Sequence, residues 1–254
     1  MHDLLIKGGT LVDGTGSPGL ARDVAVDGTR VAGIYREGEG KGLMVIDAKG
    51  LVVCPGFVDI HTHSDLHLLC CPLAESKVRQ GVTTELLGNC GGSAAPMIGA
   101  ARETERKNAD QLGVALDWTS LDEYFLRLAD MRTSVNVATL IGADTLRRAV
   151  VWMDDADPTK EQLDWMNELL IEGMNQGAFG LSTGLIYAPG CYASTDELIS
   201  LSSTCSSLGG FYSSHIRGEG RTLIKAVEEA IRIGREAKTM LGRYEVVELL
   251  GAGG

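Results

Sequence analysis

Across residues 55–238, short apolar or small-residue runs alternate with segments of helical periodicity. That alternation restricts the possible folds more than any other feature of the chain. Strand-like runs fall near 55–61, 82–87, 135–141, 177–183 and 210–215. Between them, Leu163, Met166, Leu170 and Gly173 share one face of a predicted helix over 161–174. Leu223, Val227, Ile231 and Gly234 do the same over 221–235. Ser120-x-x-Glu123 and Ser194-x-x-Glu197 have capping-box spacing, and Asp157-Pro158 offers a cap with proline at the first helical position. Strands separated by such helices imply a parallel sheet, open or closed into a barrel. There are about five units, whereas a full (β/α)8 barrel has eight in roughly 250 residues. The expected class is α/β, and the chain is too short to close such a barrel by itself.

Residues 1–54 read differently. Leu4–Ile6, Thr10–Val12, Asp23–Val26, Arg30–Ile34 and Met44–Asp47 are β-like runs, separated by turn signals such as Gly8-Gly9, Asp13-Gly14 and Asp27-Gly28. The expected organisation is a β unit over 1–54, strand–helix units over 55–238, and a tail over 239–254 that breaks the pattern. In that tail Tyr244–Leu250 has strand composition.

A net charge of −11 argues against a nucleic-acid partner, because phosphate binding needs a basic surface. No apolar run approaches the ~18 residues of a membrane span, and the first residues lack the features of a signal peptide. Six cysteines at 54, 70, 71, 90, 191 and 205 follow no framework spacing, so they are expected as reduced thiols or, in one case, a ligand. The expected compartment is the cytoplasm. Oligomeric state is not legible.

The candidate chemistry lies at strand ends. Pro55–Asp65 carries an apolar run into His61-x-His63, and residues two apart on a strand point to the same side. Cys90 follows the second predicted strand within Gly88-Asn89-Cys90-Gly91-Gly92, and His215 follows the fifth. Taken singly, Cys90 reads as a small buried residue and His215 as a core histidine. Together, four soft or borderline ligands at the ends of alternating strands point instead to a zinc-type site.

Val53–Asp65 resembles the first metal motif of the amidohydrolase superfamily. Gly81–Thr84, Gly88–Gly91, Gly180–Gly190 and Ser213–Glu219 narrow the resemblance to the N-acyl-D-amino-acid deacylases, over about residues 3–237. The resemblance implies an incomplete (β/α)8 TIM-type barrel of about five units, with residues 3–53 as half of a small β-sandwich. It also implies zinc-dependent hydrolysis of an N-acyl amino acid, a small-molecule substrate. Cys90 and His215 would hold a tight Zn2+, with Cys90 bridging to a weaker site at His61 and His63. Related enzymes that bridge two metals with a carboxylated lysine are a poorer match, since no lysine lies between Lys107 and Lys160 or between Lys160 and Lys225. Tyr187 reads as a substrate contact or as an aromatic packed on its Pro-Gly turn. Arg217 reads as a partner for a substrate carboxylate or a brace for Glu219, and Asp65 as a ligand-orienting group or a helix cap.

In the family the proton-shuttling aspartate follows the last barrel strand, and a further zinc histidine follows the sixth. Neither has a counterpart here, so the catalytic residue is unknown, and Ala143 stands where a histidine is common. The 254-residue chain is therefore expected to bind zinc weakly and turn over little. Leu241–Gly254 resembles the opening of a bacterial Ser/Thr protein kinase, whose catalytic parts are absent. Two alternatives remain: a cyclic amidase of the dihydroorotase or hydantoinase kind, and a non-catalytic, poorly folded fragment.

Overall fold

The computed structural model describes residues 1–239. The strand expected over 244–250 and the kinase-like run from Leu241 lie outside the described residues. The chain divides into two compact units, one ending at Phe57 and the other beginning at Val58, where the sequence placed the boundary after residue 54.

In the first unit, β1 (His2–Leu11) is the central strand. It pairs antiparallel with β2 (Leu20–Asp27), which pairs antiparallel with β3 (Arg30–Arg36). It also pairs parallel with β4 (Gly42–Asp47) and with β5 (Val52–Val53). The runs Leu4–Ile6 and Thr10–Val12 are thus largely one strand, with a register shift between Ile6 and Gly9. The fully buried Asp23 carboxylate explains how a charge is tolerated there: it accepts the N–H groups of Gly8 (2.9 Å), Gly38 (2.9 Å) and Gly40 (3.2 Å).

The second unit begins within β6 (Phe57–Asp59), which is followed by two short helices, α1 (His67–Cys70) and α2 (Glu75–Val78), and then β7 (Val82–Leu87). Two longer helices come next, α3 (Gly99–Leu112) and α4 (Leu121–Met131). The expected strand at 135–141 appears as β8 (Asn136–Thr139) and β9 (Ile141–Gly142). After α5 (Ala143–Val150) and α6 (Lys160–Asn175) come β10 (Gly180–Gly184), α7 (Thr195–Ser207), β11 (Phe211–His215) and α8 (Leu223–Glu236). The strands order as β6-β7-β8 and β11-β10-β9, with β7 parallel to β8 and β10 parallel to both its neighbours. Hydrogen bonding continues from one sheet to the next: Leu140 donates to Leu87 O, and Phe179 donates to Thr139 O. The class is α/β.

Helix ends follow the capping rules, with two corrections. Ser120 and Glu123 form the expected capping box of α4. For α6 the cap is Thr159, boxed with Gln162, rather than Asp157. At α7 Ser194 accepts from Glu197 N, but the Glu197 carboxylate does not return to the cap; it pairs with Arg147 (2.5 Å), both side chains being buried. On α8 the buried stripe is Ala226, Ala230, Ile233 and Gly234, while Leu223 is exposed. Gly234 is buried as the periodicity expects, but the rest of the stripe is Ala226, Ala230 and Ile233, with Val227 and Ile231 only partly buried.

The core joins these helices to the sheets through Leu87, Trp118, Tyr124, Leu146, Met166, Leu170, Leu181 and Tyr212. Each such side chain contributes on the order of 2–3 kcal/mol by leaving water. Two also hold loops: Trp118 Nε1 donates to Ala94 O (2.7 Å) and Tyr124 OH to Asp65 O (2.7 Å). Among the described residues no helix is long and apolar enough to cross a membrane.

Candidate metal centre

Three loops of the second unit meet at one place. The first carries His61 and His63, just beyond the end of β6, which stops at Asp59. Between them Thr62 is buried and donates both its N–H (3.2 Å) and its Oγ1 (3.1 Å) to Leu86 O. With Thr62 turned to β7, the flanking imidazoles project together, their ring centroids 5.4 Å apart. The donor atoms of His61, His63 and Cys90 all lie within 4.8 Å of one another.

The second loop holds Cys90 in a left-handed conformation, φ +52°. For a residue with a Cβ this costs about 1–3 kcal/mol and persists only when the surroundings over-determine it. Here they do. Ser182 Oγ donates to Gly88 O (2.5 Å) and accepts from Gly91 N (3.1 Å). Asn89 Nδ2 donates to Leu86 O (2.9 Å), and Asp65 Oδ1 accepts from Gly88 N (3.2 Å). A Cβ on Gly184 would overlap the Cys90 carbonyl, so β10 touches this loop at its backbone. Asp65 is therefore a tie between the histidine and cysteine loops and not a helix cap; the cap of α1 is Leu66, with no side-chain bond.

His215 closes β11. Its Nδ1 lies 3.5 Å from Cys90 Sγ, while His61 Nε2 lies 3.3 Å from the same sulfur. Cys90 thus sits between the two imidazoles. His215 Nε2 is buried without a hydrogen-bond partner; Glu219 Oε1 is 3.0 Å away but not aligned to accept. Tyr187, half exposed, sets its ring edge-on to His215 with centroids 5.0 Å apart.

Arg217 lies elsewhere. Its Nε and Nη2 grip Glu229 (2.9 and 3.0 Å), and Nη1 and Nη2 donate to Cys191 O and Ala193 O (both 2.8 Å). The fork that would take a substrate carboxylate is filled, and the brace is to Glu229 and not Glu219. Arg217 holds the turn around Gly190–Tyr192 in place.

Electrostatics favour neutral donors. Burial, then the neighbouring His61 and His215, lowers the His63 imidazole pKa. Burial, then Asp144, raises the Cys90 thiol. Asp144 itself is pushed up to about 7 by burial, only partly offset by Arg148 and the amides of Gly184 and Gly190. Asp144 and Ser182 are parts of this site to which sequence reasoning gave no role. Ser182 did lie within a quoted motif, but a serine's bonds to a loop 94 and 91 positions away leave no local trace.

The residues fit a zinc-class ion. One sulfur and several imidazoles are its preferred donors. A tetrahedral ion with bonds near 2.3 Å to sulfur and 2.05 Å to nitrogen needs an S···N edge of about 3.6 Å. The observed 3.3 and 3.5 Å are close to that edge.

Known proteins resemble this chain in sequence and fold. The chain is 40% identical over 234 residues to a D-aminoacylase of Alcaligenes xylosoxydans xylosoxydans, covering 92% of this chain and 48% of that one. A crystal structure of D-aminoacylase superposes with a TM-score of 0.87 at 37% identity, over 95% of this chain and 51% of that chain. The N-acyl-D-glutamate deacylase from Bordetella bronchiseptica, solved with zinc and a phosphonate inhibitor, gives 0.85 at 36% identity, over 94% and 50%. The chain spans about half the length of the curated relatives it matches. The amidohydrolase family model covers residues 44–202, more than half the chain and both the His61-x-His63 and Cys90 loops. By this match the chain belongs to the amidohydrolase family.

Proposed function

We propose that this chain carries the metal-binding portion of an N-acyl-D-amino-acid deacylase, which hydrolyses the amide to a D-amino acid and a carboxylate. The observation that carries the proposal is Cys90 placed between His61 and His215, with His63 within ligand reach of His61 and Cys90. A similarity of 36–40% to D-aminoacylase and N-acyl-D-amino-acid deacylases supports it. Their TM-scores of 0.85–0.87 also support reading the strand–helix units over 55–238 as part of a (β/α)8 barrel. On the same reading, residues 1–54 are part of a small β-sandwich. Six free thiols suit a cytoplasmic location.

His61, His63, Cys90 and His215 would hold Zn2+, Cys90 serving both a tight position with His215 and a weaker one with the other two. Bound zinc supplies a lowered water pKa and a polarised acyl carbonyl. The chain's own groups do the rest. Ser182, Asn89 and Asp65 keep the Cys90 loop in its strained conformation, so the thiol is pre-positioned and not recruited from a mobile loop. Tyr187 presents a half-exposed phenol ring beside His215, where it can contact the amino-acid portion of a substrate. Burial pushes Asp144 up to about 7, so it carries less negative charge behind Cys90 than an ordinary carboxylate would.

The test is enantiomer-selective binding. Zinc-loaded protein is titrated with N-acetyl-D- and N-acetyl-L-amino acids, and with dihydroorotate and a hydantoin, by saturation-transfer NMR. Preference for the D form, abolished by chelation and by Cys90→Ala, supports the proposal. No binding, no enantiomer preference, or preference for the cyclic amides overturns it. The cyclic-amidase alternative is weakened by the absence of lysine between Lys107 and Lys160 and between Lys160 and Lys225.

A further inference from the structure

Cys70 and Cys71 are adjacent, both exposed, with their sulfurs 3.8 Å apart. Their surroundings fix them. Leu68 and Leu69, immediately before, are buried in the core at 2% and 6% exposure and anchor α1 from below. Cys71 N donates to His67 O (2.7 Å), Cys70 Sγ to the same oxygen (3.3 Å), and Ala74 N to Cys71 O (3.0 Å). Pro72 follows, which restricts the backbone of Cys71, and its carbonyl accepts from Ser134 N (2.9 Å). The two thiols therefore stand on a rigid turn.

Neighbouring Cα atoms are about 3.8 Å apart across a trans peptide. Disulfides normally need about 4.4 Å or more. Oxidative closure of this pair is strained, which favours two open thiols. A tetrahedral ion with bonds of about 2.3 Å to sulfur instead sets two thiolates about 3.8 Å apart. The observed separation matches that edge without movement. We propose that Cys70 and Cys71 form a second, surface metal site that captures a soft divalent d10 cation of the zinc and cadmium class. Capture breaks two S–H bonds, forms two sulfur–metal bonds and releases two protons to solvent, with no change of oxidation state; water completes the shell. The site is independent of the hydrolytic reading, since neither cysteine belongs to the cluster at Cys90.

The experiment is a titration of the 254-residue protein with Cd2+ alone, followed by the ultraviolet sulfur-to-cadmium charge-transfer band. Cys90→Ala removes the thiol of the first centre. In that background the band is expected to persist, to reach saturation near one ion per chain, and to vanish on adding either Cys70→Ser or Cys71→Ser. Both serines replace exposed groups, and far-ultraviolet circular dichroism checks that the fold is kept. A Cys90→Ala protein without the band overturns the proposal. So does an equal band after either serine substitution, which would assign capture to Cys54 or Cys191.

Discussion

Gly184→Ala tests whether the backbone contact between β10 and the Cys90 loop sets the metal centre. A Cβ at residue 184 would overlap the carbonyl carbon and oxygen of Cys90 and press on the Tyr187 ring. The obstacle is backbone on one side and strand on the other, so relief requires moving the loop that carries the thiol. Overpacking of this kind costs about 1–3 kcal/mol. If that displacement falls on Cys90, the same energy appears in metal binding as a loss of about 5- to 150-fold, at 1.4 kcal/mol per tenfold. Zinc affinity is read by competition with a chromophoric chelator, and stability by urea denaturation. Gly220→Ala is the control, because a Cβ added there would meet nothing within 4 Å. Unchanged zinc affinity in Gly184→Ala, at unchanged stability, would refute the reasoning.

Two further outcomes follow from buried charge. Folded Asp144 holds its proton up to about pH 7, whereas the unfolded side chain releases it near 3.8. Its contribution is therefore fully present below about pH 4 and lost as pH rises to 7, at up to about 1.4 kcal/mol per pH unit. Asp65, pushed up to about 7 by burial, acts in the same direction; Asp144→Asn should remove about half of the combined slope in denaturation midpoints measured from pH 4 to 7. Arg147→Met leaves the Glu197 carboxylate buried without its cation and should cost about 3–5 kcal/mol, while Arg147→Met with Glu197→Leu should recover much of it.

The parts of this site that were legible in the sequence are those with a local signature. His61-x-His63 follows an apolar run entered through Pro55-Gly56, and His215 ends a run that does become β11. Cys90 stood out because glycines surround it, and Gly91 and Gly184 indeed sit where backbone meets its neighbours. What was missed depends on contacts distant in the chain. Glu197 has capping-box spacing from Ser194, but Arg147, 50 positions earlier, takes its carboxylate. Arg217 was paired with nearby Glu219, whereas Glu229 on α8 reaches it first. On α8 the periodicity picks Leu223, Val227, Ile231 and Gly234; Gly234 is buried, while Ala226, Ala230 and Ile233 take the other buried positions.

The central claim is that Cys90 supplies the sulfur of a metal centre whose other protein donors are imidazoles. Zinc K-edge X-ray absorption on the Cys70→Ser/Cys71→Ser protein, loaded with one equivalent, measures this directly. The account predicts a single sulfur at about 2.3 Å with nitrogen donors at about 2.0–2.1 Å, and loss of the sulfur shell in Cys90→Ala. A shell of only nitrogen and oxygen, or a sulfur that survives removal of Cys90, would contradict it.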